Sequence, residues 1–485
     1  MKFWPVHHGI LGNPQVSISM STSILKSNRY IFEPAGQNLI AKCPEPVTRV
    51  IVVGAGFSGV AAANSLQTSG VEVVVLEGRS GIGGRTHTVP MQGASVEAGA
   101  AWIHAPIGNP LTELADFLSL GQREFAISDI FSDIRLVGKC GDVLGTPERD
   151  RVMGLADEIE TELIESAGSY APTQTVAELL ETRLLSITDP ALREWVRFVL
   201  YTGFQADLAS PAEDISIVNY AVDAGFSGGD NCIVGGYGTM LFRLADGLKI
   251  HCDCLVNEVL QDAEGVTVCC TNGRVERGSH VVMSVPLGVL KAGDIRFSPD
   301  LPAVKKTVIE RLGFGSFEKL ILQFEQAFWH SGNACSRGVL IQDHPVFPYW
   351  IDVSLSAGRP TLAAHISGPP AFALARLSRD AALAMALSAL AKAFGCDIPH
   401  PTAVHQTNWL GDPCSRGGYT HLPPSSGVPD IQTLSEPVGR LLFAGEATST
   451  QRFGYVDGAF VSGLREAQRL IGGAHVQLSA TCYDA

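Results

Sequence analysis

The chain has 485 residues and a formal net charge of −14 at neutral pH. Hydrophobic residues make up 46% and charged residues 17%, so a large buried core is available and the length suits two domains better than one. Those figures argue against a disordered chain, and the acidic balance argues against nucleic acid as a partner.

The eleven cysteines form no C-x-x-C pair. Cys252 with Cys254 and Cys269 with Cys270 are spaced for neither a zinc framework nor a disulfide scaffold. No metal site is expected, and reduced thiols in a cytoplasmic compartment are the plain reading. The best candidate for a membrane span, Ala381 to Phe394, is short, carries Lys392 and reads as an Ala-rich core helix. Residues 1–45 differ from the rest. They hold Ser17, Ser19, Ser21, Ser23 and Ser27, a single arginine (Arg29) and the acids Glu33 and Glu45. This suits a disordered extension, with organelle import as the alternative role.

Val50-Ile51-Val52-Val53 is a β-branched run that predicts a buried strand. Gly54-Ala55-Gly56-Phe57-Ser58-Gly59 follows, then small and apolar residues at helical length to Leu66. Gly70 closes that helix, and a second strand, Val71 to Leu76, ends on Glu77. Gly54 permits the tight turn, Gly56 lets backbone N–H groups (with Ser58 in the same turn) approach a pyrophosphate, and Gly59 lets the helix pack close on the strand. The helix N-terminus favours phosphate, and Glu77 stands at the distance of about 20 residues where a carboxylate meets ribose hydroxyls. NAD and FAD both fit this much. The next segment, Gly78-Arg79-Ser80-Gly81-Ile82-Gly83-Gly84-Arg85-Thr86, is a second glycine turn with two arginines. It suits a longer dinucleotide needing more positive charge, and equally a solvated basic loop.

Glu318 to Phe324 alternates as a strand does, with Leu320, Leu322 and Phe324 on one face and Lys319, Ile321 and Gln323 on the other. From pattern alone Lys319 reads as solvent-facing. Thr175 with Glu178 forms a capping box, and Asp189-Pro190 opens another helix. Cys252 to Val259 reads as a strand edge. Phe443 to Thr448 is a strand and loop, and a closing helix runs from about Val456 to Leu470.

Taken together, these segments resemble the flavin amine oxidases, the family of monoamine oxidases, polyamine oxidases and flavin histone demethylases. The likeness rests on GAGFSG at 54–59, Glu77-Gly78-Arg79, Gly83-Gly84-Arg85-Thr86, and Glu97 through Gly99-Ala100-Ala101-Trp102 to His104. It continues in Val285 to Lys291, Trp409 to Pro413, Gly417-Gly418-Tyr419, Phe443 to Thr448 and Gly454-Tyr455-Val456-Asp457-Gly458-Ala459, so it spans about residues 48 to 472.

The resemblance implies an α/β fold: a Rossmann-like FAD-binding domain of the GR2 type with an inserted α+β substrate-binding domain. It implies a discontinuous flavin domain at 46–130, 245–300 and 430–472, a substrate domain at 131–244 and 301–429, and a tail at 473–485. The cofactor contacts it carries over are Gly54, Gly56, Ser58, Gly59, Glu77, Arg79, Gly84, Arg85, Gly99, Ala100, Ala101, Trp102, Val256, Trp409, Gly445, Glu446, Tyr455, Val456 and Ala459. Val256 corresponds to the family's adenine-contacting valine, and Glu446 to a glutamate at the ribityl or pyrophosphate region.

Lys319 takes the place of a lysine that holds a water against the flavin and assists its reoxidation. Tyr419 and Tyr455 fall at the family's substrate-cage positions, although a loop tyrosine is more often a packing residue. His104 is either a distal-amine contact, as in polyamine oxidases, or a satisfied histidine of a polar turn. Gly418 stands where animal monoamine oxidases attach FAD to a cysteine, so FAD is expected to be non-covalent. No counterpart of their membrane helix follows the closing helix, so a soluble protein is expected.

The implied reaction takes a hydride from the carbon beside an amine nitrogen. The imine then yields a carbonyl, and dioxygen leaves as hydrogen peroxide. The expected partners are a small polyamine or monoamine and dioxygen. Competing readings are an oxidase of an L-amino acid or alkaloid amine, a non-catalytic or chromatin-type flavoprotein, and an NAD-dependent dehydrogenase.

Overall fold

The structure is a computed structural model that describes residues 29–32, 45–125, 127–220, 226–330, 337–472 and 476–479. Five parallel strands form its first sheet, in the spatial order Ile250–His251, Glu72–Leu76, Arg49–Val53, His280–Met283 and Leu441–Phe443. The β-branched runs at Val50 and Val71 are adjacent strands in it. They are apolar on both faces because both faces are covered. Val50, Val52, Val73 and Val75 share a core with helices Phe57–Thr68, Gly236–Leu244 and Val456–Ile471. Ile51, Val53, Val74 and Leu76 turn the other way, onto Val256, Val259, Val266 and Val268. These belong to a four-stranded sheet ordered Val275–Gly278, Val266–Cys270, Val256–Gln261, Arg296–Ser298. The second core also takes in Val308 and Ile309 of helix Ala303–Arg311 and Ile431 and Leu434 of helix Val428–Ser435.

Two glycines set the spacing of these layers. A Cβ on Gly59 would meet the Gly54 carbonyl oxygen at 2.0 Å, and one on Gly463 would meet the Ser58 carbonyl oxygen at 2.0 Å. Backbone cannot yield as a flexible side chain does, so helix Phe57–Thr68 lies this close to its turn and to helix Val456–Ile471 only with glycine at both positions.

A second body is built on six strands, ordered Ala403–Gln406, Phe317–Gln323, Thr361–Ser367, Tyr349–Asp352, Gly338–Ile341 and Arg135–Val137. Neighbours are antiparallel except the last pair, which is parallel. Strand Phe317–Gln323 alternates as its sequence does. Leu320 and Leu322 pack with Ala382, Ala386, Ala389 and Leu390 of helix Arg379–Phe394, which is the Ala-rich core helix expected. Ile321 faces the other core, with Val196, Val199 and Leu200 of helix Pro190–Leu208. The Thr175–Glu178 capping box and the Asp189 cap are both present.

Strand Arg29–Phe32 pairs antiparallel with Val476–Ser479. Asn64 holds that second strand, donating to the Ser479 carbonyl (2.8 Å) and accepting from the Ser479 N–H (2.9 Å). Residues 1–45, expected as a disordered extension, therefore contain one strand. Its composition does not announce it, because its partner lies at the opposite end of the chain. Residues 1–28, 33–44 and 480–485 lie outside the described residues. Among the described residues no helix is long and apolar enough to cross a membrane.

Gly463→Ala is expected to destabilise the protein by about 1–3 kcal/mol, the usual range for overpacking. Gly154 sits exposed inside helix Thr146–Glu165 with nothing near its Cβ position, so Gly154→Ala is expected to raise stability slightly. Chemical denaturation of the two variants beside the parent protein measures both signs.

Candidate active site

The two bodies line one cavity of about 1820 Å³, counting its open mouth. Its lining runs from the glycine turn at Gly54 and Gly56 to Tyr419 and Tyr455, so groups from both bodies face one space. Two helices present N-termini to it. Helix Phe57–Thr68 begins after Gly56, and helix Val456–Ile471 begins after Tyr455; neither has a side-chain cap. Gly56, Phe57 and Ser58 line the cavity at the first, and Tyr455, Val456, Asp457 and Ala459 line it at the second. Unsatisfied backbone N–H groups and the positive end of each helix dipole therefore face the same space. A pyrophosphate at one and an electron-rich ring edge at the other would fit this donor set.

The carboxylates of the cavity wall are braces. Buried Glu77 accepts from the Ala55 N–H (2.7 Å) and the Arg79 N–H (2.9 Å), so it fixes the glycine turn as well as facing the cavity. Arg79 pairs with Asp412 (2.7 Å) and lies over the Trp409 ring, 5.3 Å from its centre. Arg85 donates to the Gly418 carbonyl and to Glu446, both at 2.8 Å. Glu446 also accepts from the Thr420 hydroxyl (3.0 Å) and the Gly454 N–H (2.7 Å). The expected contact of Glu446 with the cofactor is thus joined by a structural duty: both its oxygens are held by protein groups. Gly84, Gly99, Ala100, Ala101, Trp102, Val256 and Gly445 all line the cavity, as do Gly54 and Trp409. Gly59 is the exception among the predicted contacts. It lies behind the turn, where its missing Cβ matters for packing.

Lys319 is 5% exposed, so it is not the solvent-facing lysine that strand alternation suggests. Its Nζ donates to the carbonyl oxygens of Gly99 (2.6 Å) and Glu97 (3.1 Å). Burial pushes the amine down to about 8, partly offset by the nearby Glu97 carboxyl. Burial pushes Glu97 itself up to about 7, against hydrogen bonds from the Tyr237 N–H and the Thr88 hydroxyl.

Tyr419 donates to the Ala206 carbonyl (2.8 Å), and its ring lies 6.0 Å from that of Phe317. The Tyr455 ring carries the Arg452 guanidinium 3.8 Å from its centre, and Arg452 is itself paired with Asp457 (2.6 Å). A protein cation therefore already covers one face of Tyr455. His104 meets the Tyr455 ring edge-on at 5.8 Å and binds Asp230 through Nδ1 (2.5 Å). His104 is thus satisfied by Asp230, and it also lines the cavity.

Sequence reasoning missed Asp207, Phe317 and His365, which also line the cavity. Phe317 is legible in hindsight, two residues before Lys319 on the same face. Asp207 is an acid in the last turn of a buried helix, and His365 is one imidazole in the apolar run Thr361–Ser367. Gly418 donates its N–H to the Gly315 carbonyl (2.7 Å), and a Cβ there would crowd the Phe317 backbone nitrogen at 3.1 Å. Cys414 lines the cavity beside Gly78 and Leu255.

A parallel sheet opening on a glycine turn, two helix ends on one cavity and a buried lysine beside aromatic rings define a dinucleotide-dependent oxidoreductase. The chain belongs to the family described as flavin containing amine oxidoreductase, which it matches over residues 57–471. FAD is accordingly its cofactor. Lysine-specific histone demethylase 1 homolog 3 of Oryza sativa subsp. indica is 34% identical over 478 residues, covering 93% of this chain and 58% of that relative. The chain thus spans little more than half the length of that protein. Polyamine oxidase 4 of Oryza sativa subsp. japonica is 31% identical over 441 residues, covering 88% of this chain and 89% of that one. Among solved structures, cyclohexylamine oxidase from Brevibacterium oxydans IH-35A superposes with a TM-score of 0.71 at 25% identity, covering 88% of this chain and 99% of that one. Putrescine oxidase bound to putrescine gives 0.69 at 24% identity, covering 87% and 99%, a likeness of fold alone.

The lysine has a consequence for stability. Its folded value of about 8 lies below the ordinary 10.5, so the folded state disfavours the charged form. The penalty is full below pH 8 and is relieved as pH rises from about 8 toward 10.5. In the cofactor-free protein, the melting temperature of the parent should gain on that of Lys319→Met across this window. A difference that stays constant with pH would refute the assigned burial of charge.

Proposed function

We propose that this protein is a soluble, cytoplasmic FAD-dependent amine oxidase, acting on a small polyamine or monoamine with dioxygen as acceptor. The observation that carries the reading is the chamber of Tyr419, Tyr455 and Phe317 with Lys319 and Asp207 in its walls. Bound FAD supplies the acceptor for a hydride from the carbon beside the amine nitrogen, and a two-electron donor for dioxygen.

The chain's residues do the rest. The uncapped helix N-termini at Gly56 and Tyr455, with Arg85 on the same cavity, would hold the cofactor's electron-rich groups. The aromatic walls exclude water and favour the reacting amine in its neutral form, because an unpaired buried ammonium is costly. Asp207 is 2% exposed and accepts from the Tyr220 hydroxyl (2.6 Å). Its carboxylate suits a second, charged amine of the same substrate, which favours a diamine or polyamine. Lys319 places positive charge where negative charge collects during reoxidation. FAD attachment is non-covalent, since Gly418 offers no thiol and Cys414 lies against the Gly78 turn. The histone demethylase homologues motivate a second reading, in which the amine is a methylated lysine of a protein.

The purified protein should be yellow and should release its FAD on acid precipitation. It should form hydrogen peroxide from diamines or polyamines, and a screen that includes amino acids and methyl-lysine peptides separates the readings. Asp207→Asn should raise KM for a diamine about tenfold or more over its effect on a monoamine, since losing one partner of a buried charge pair costs about 2 kcal/mol or more. Equal changes for both amines would remove Asp207 from substrate recognition.

A further inference from the structure

His365 stands directly across from Lys319 in the antiparallel pair of strands Phe317–Gln323 and Thr361–Ser367. Residues directly opposite carry their Cβ atoms about 5 Å apart on the same face. The imidazole is 2% exposed and lines the cavity. Its ring neighbours are aromatic: Phe317 at 5.2 Å, Tyr349 at 5.6 Å and Trp102 at 5.7 Å between centres. Among the described residues neither ring nitrogen has a hydrogen-bond partner. Leaving a buried polar group unsatisfied is costly, so such a group asks for an explanation.

Lys319 supplies the complementary half. An ammonium has three donors, and two of them go to the carbonyls of Gly99 and Glu97. The Trp102 ring flanks both groups, 5.8 Å from the Lys319 nitrogen. One cation with a donor to give thus faces one imidazole with a donor and an acceptor to fill, across a wall of the cavity. A water that accepts from the Lys319 ammonium and from the imidazole N–H would satisfy both donors, which is how buried polar groups of this kind are commonly satisfied.

We propose that His365 is a positioning residue that, with Lys319, holds one water at this wall and passes a proton through it when the cofactor is reoxidised. The proposal rests on the oxidase reading above. Dioxygen leaves as hydrogen peroxide after gaining two electrons and two protons. The electrons and one proton come with the reduced cofactor, and the second proton comes from solvent through the protein. Burial, helped by Lys319, holds the His365 imidazole well below its ordinary value. It is therefore neutral at working pH, releases its N–H proton into the water as the water gives one toward the cofactor side, and is reprotonated at its other nitrogen by solvent water of the cavity. The lysine alone lacks this two-sided exchange while both carbonyls occupy it.

The test reduces the FAD-loaded enzyme with light and mixes it with dioxygen, so no amine is needed. His365→Leu should slow reoxidation roughly a hundredfold, the lower end for a positioned proton-transfer group, and should lose the solvent deuterium isotope effect of the parent. His365→Gln keeps a donor and an acceptor and should recover most of the rate. The imidazole ¹⁵N resonances, assigned by their absence in His365→Gln, give a readout apart from turnover: they should show a hydrogen-bonded ring in the parent and shift in Lys319→Met. Reoxidation at the parental rate in His365→Leu, or a ring whose resonances ignore Lys319→Met, would overturn the proposal. Failure of every amine to reduce the enzyme would instead count against the oxidase reading, with the photoreduction result unaffected.

Discussion

Burying the Lys319 ammonium imposes a constraint that reaches across the molecule. A charge taken out of water needs oxygen atoms at close range, and here they are the carbonyls of Glu97 and Gly99. Those residues follow the arginine turn of the dinucleotide-binding body, while the lysine belongs to the six-stranded sheet of the other body. The same segment is pressed onto that turn: Ala100 donates to the Arg85 carbonyl at 3.0 Å, and a Cβ on Gly99 would strike that oxygen at 1.8 Å. Arg85 in turn binds Glu446 in the closing motif. One desolvated amine thus ties the sheet that shapes the chamber to the arginine turn on the cavity.

The braces share a logic. Glu77, Glu446, Asp412 and Asp457 each neutralise a backbone N–H or an arginine that would otherwise be free to move. Two of these pairings, Arg79–Asp412 and Arg85–Glu446, join segments remote in sequence across the wall of the cavity. Its inner end is lined by rings whose polar tips are mostly tied down, as Tyr419 is to Ala206 and His104 to Asp230. A preorganised wall of this kind keeps its dipoles fixed while charge develops beside it.

Much of this was legible from local pattern. The strand–glycine turn–helix unit at Val50, the second strand ending at Glu77, the alternation about Lys319 and the caps at Thr175 and Asp189 all rest on short-range periodicity and turn chemistry, and they appear as read. The direction in which Lys319 faces was not legible from alternation, which separates two faces without saying which one water reaches. Strand Arg29–Phe32 and residues Asp207 and His365 were hidden for a related reason. Their meaning comes from partners far along the chain: Val476–Ser479, the Tyr419 loop and Lys319. The bracing roles of Glu77 and Glu446 belong to the same class, since a motif specifies an acid at a position but not what else it grips.

The parallel sheet carries one more consequence, for how the protein is made. Its five strands come from residues 49–53, 72–76, 250–251, 280–283 and 441–443. The first two leave the ribosome long before the last, and the edge strand Leu441–Phe443 and the helix Val456–Ile471 that packs on Phe57–Thr68 are made only after the other four strands. Until then the valine-rich faces of the early strands lack their permanent cover, and sheets of such long-range pairing are slow to complete. A nascent chain of this design therefore carries uncovered valine-rich strands through most of its translation.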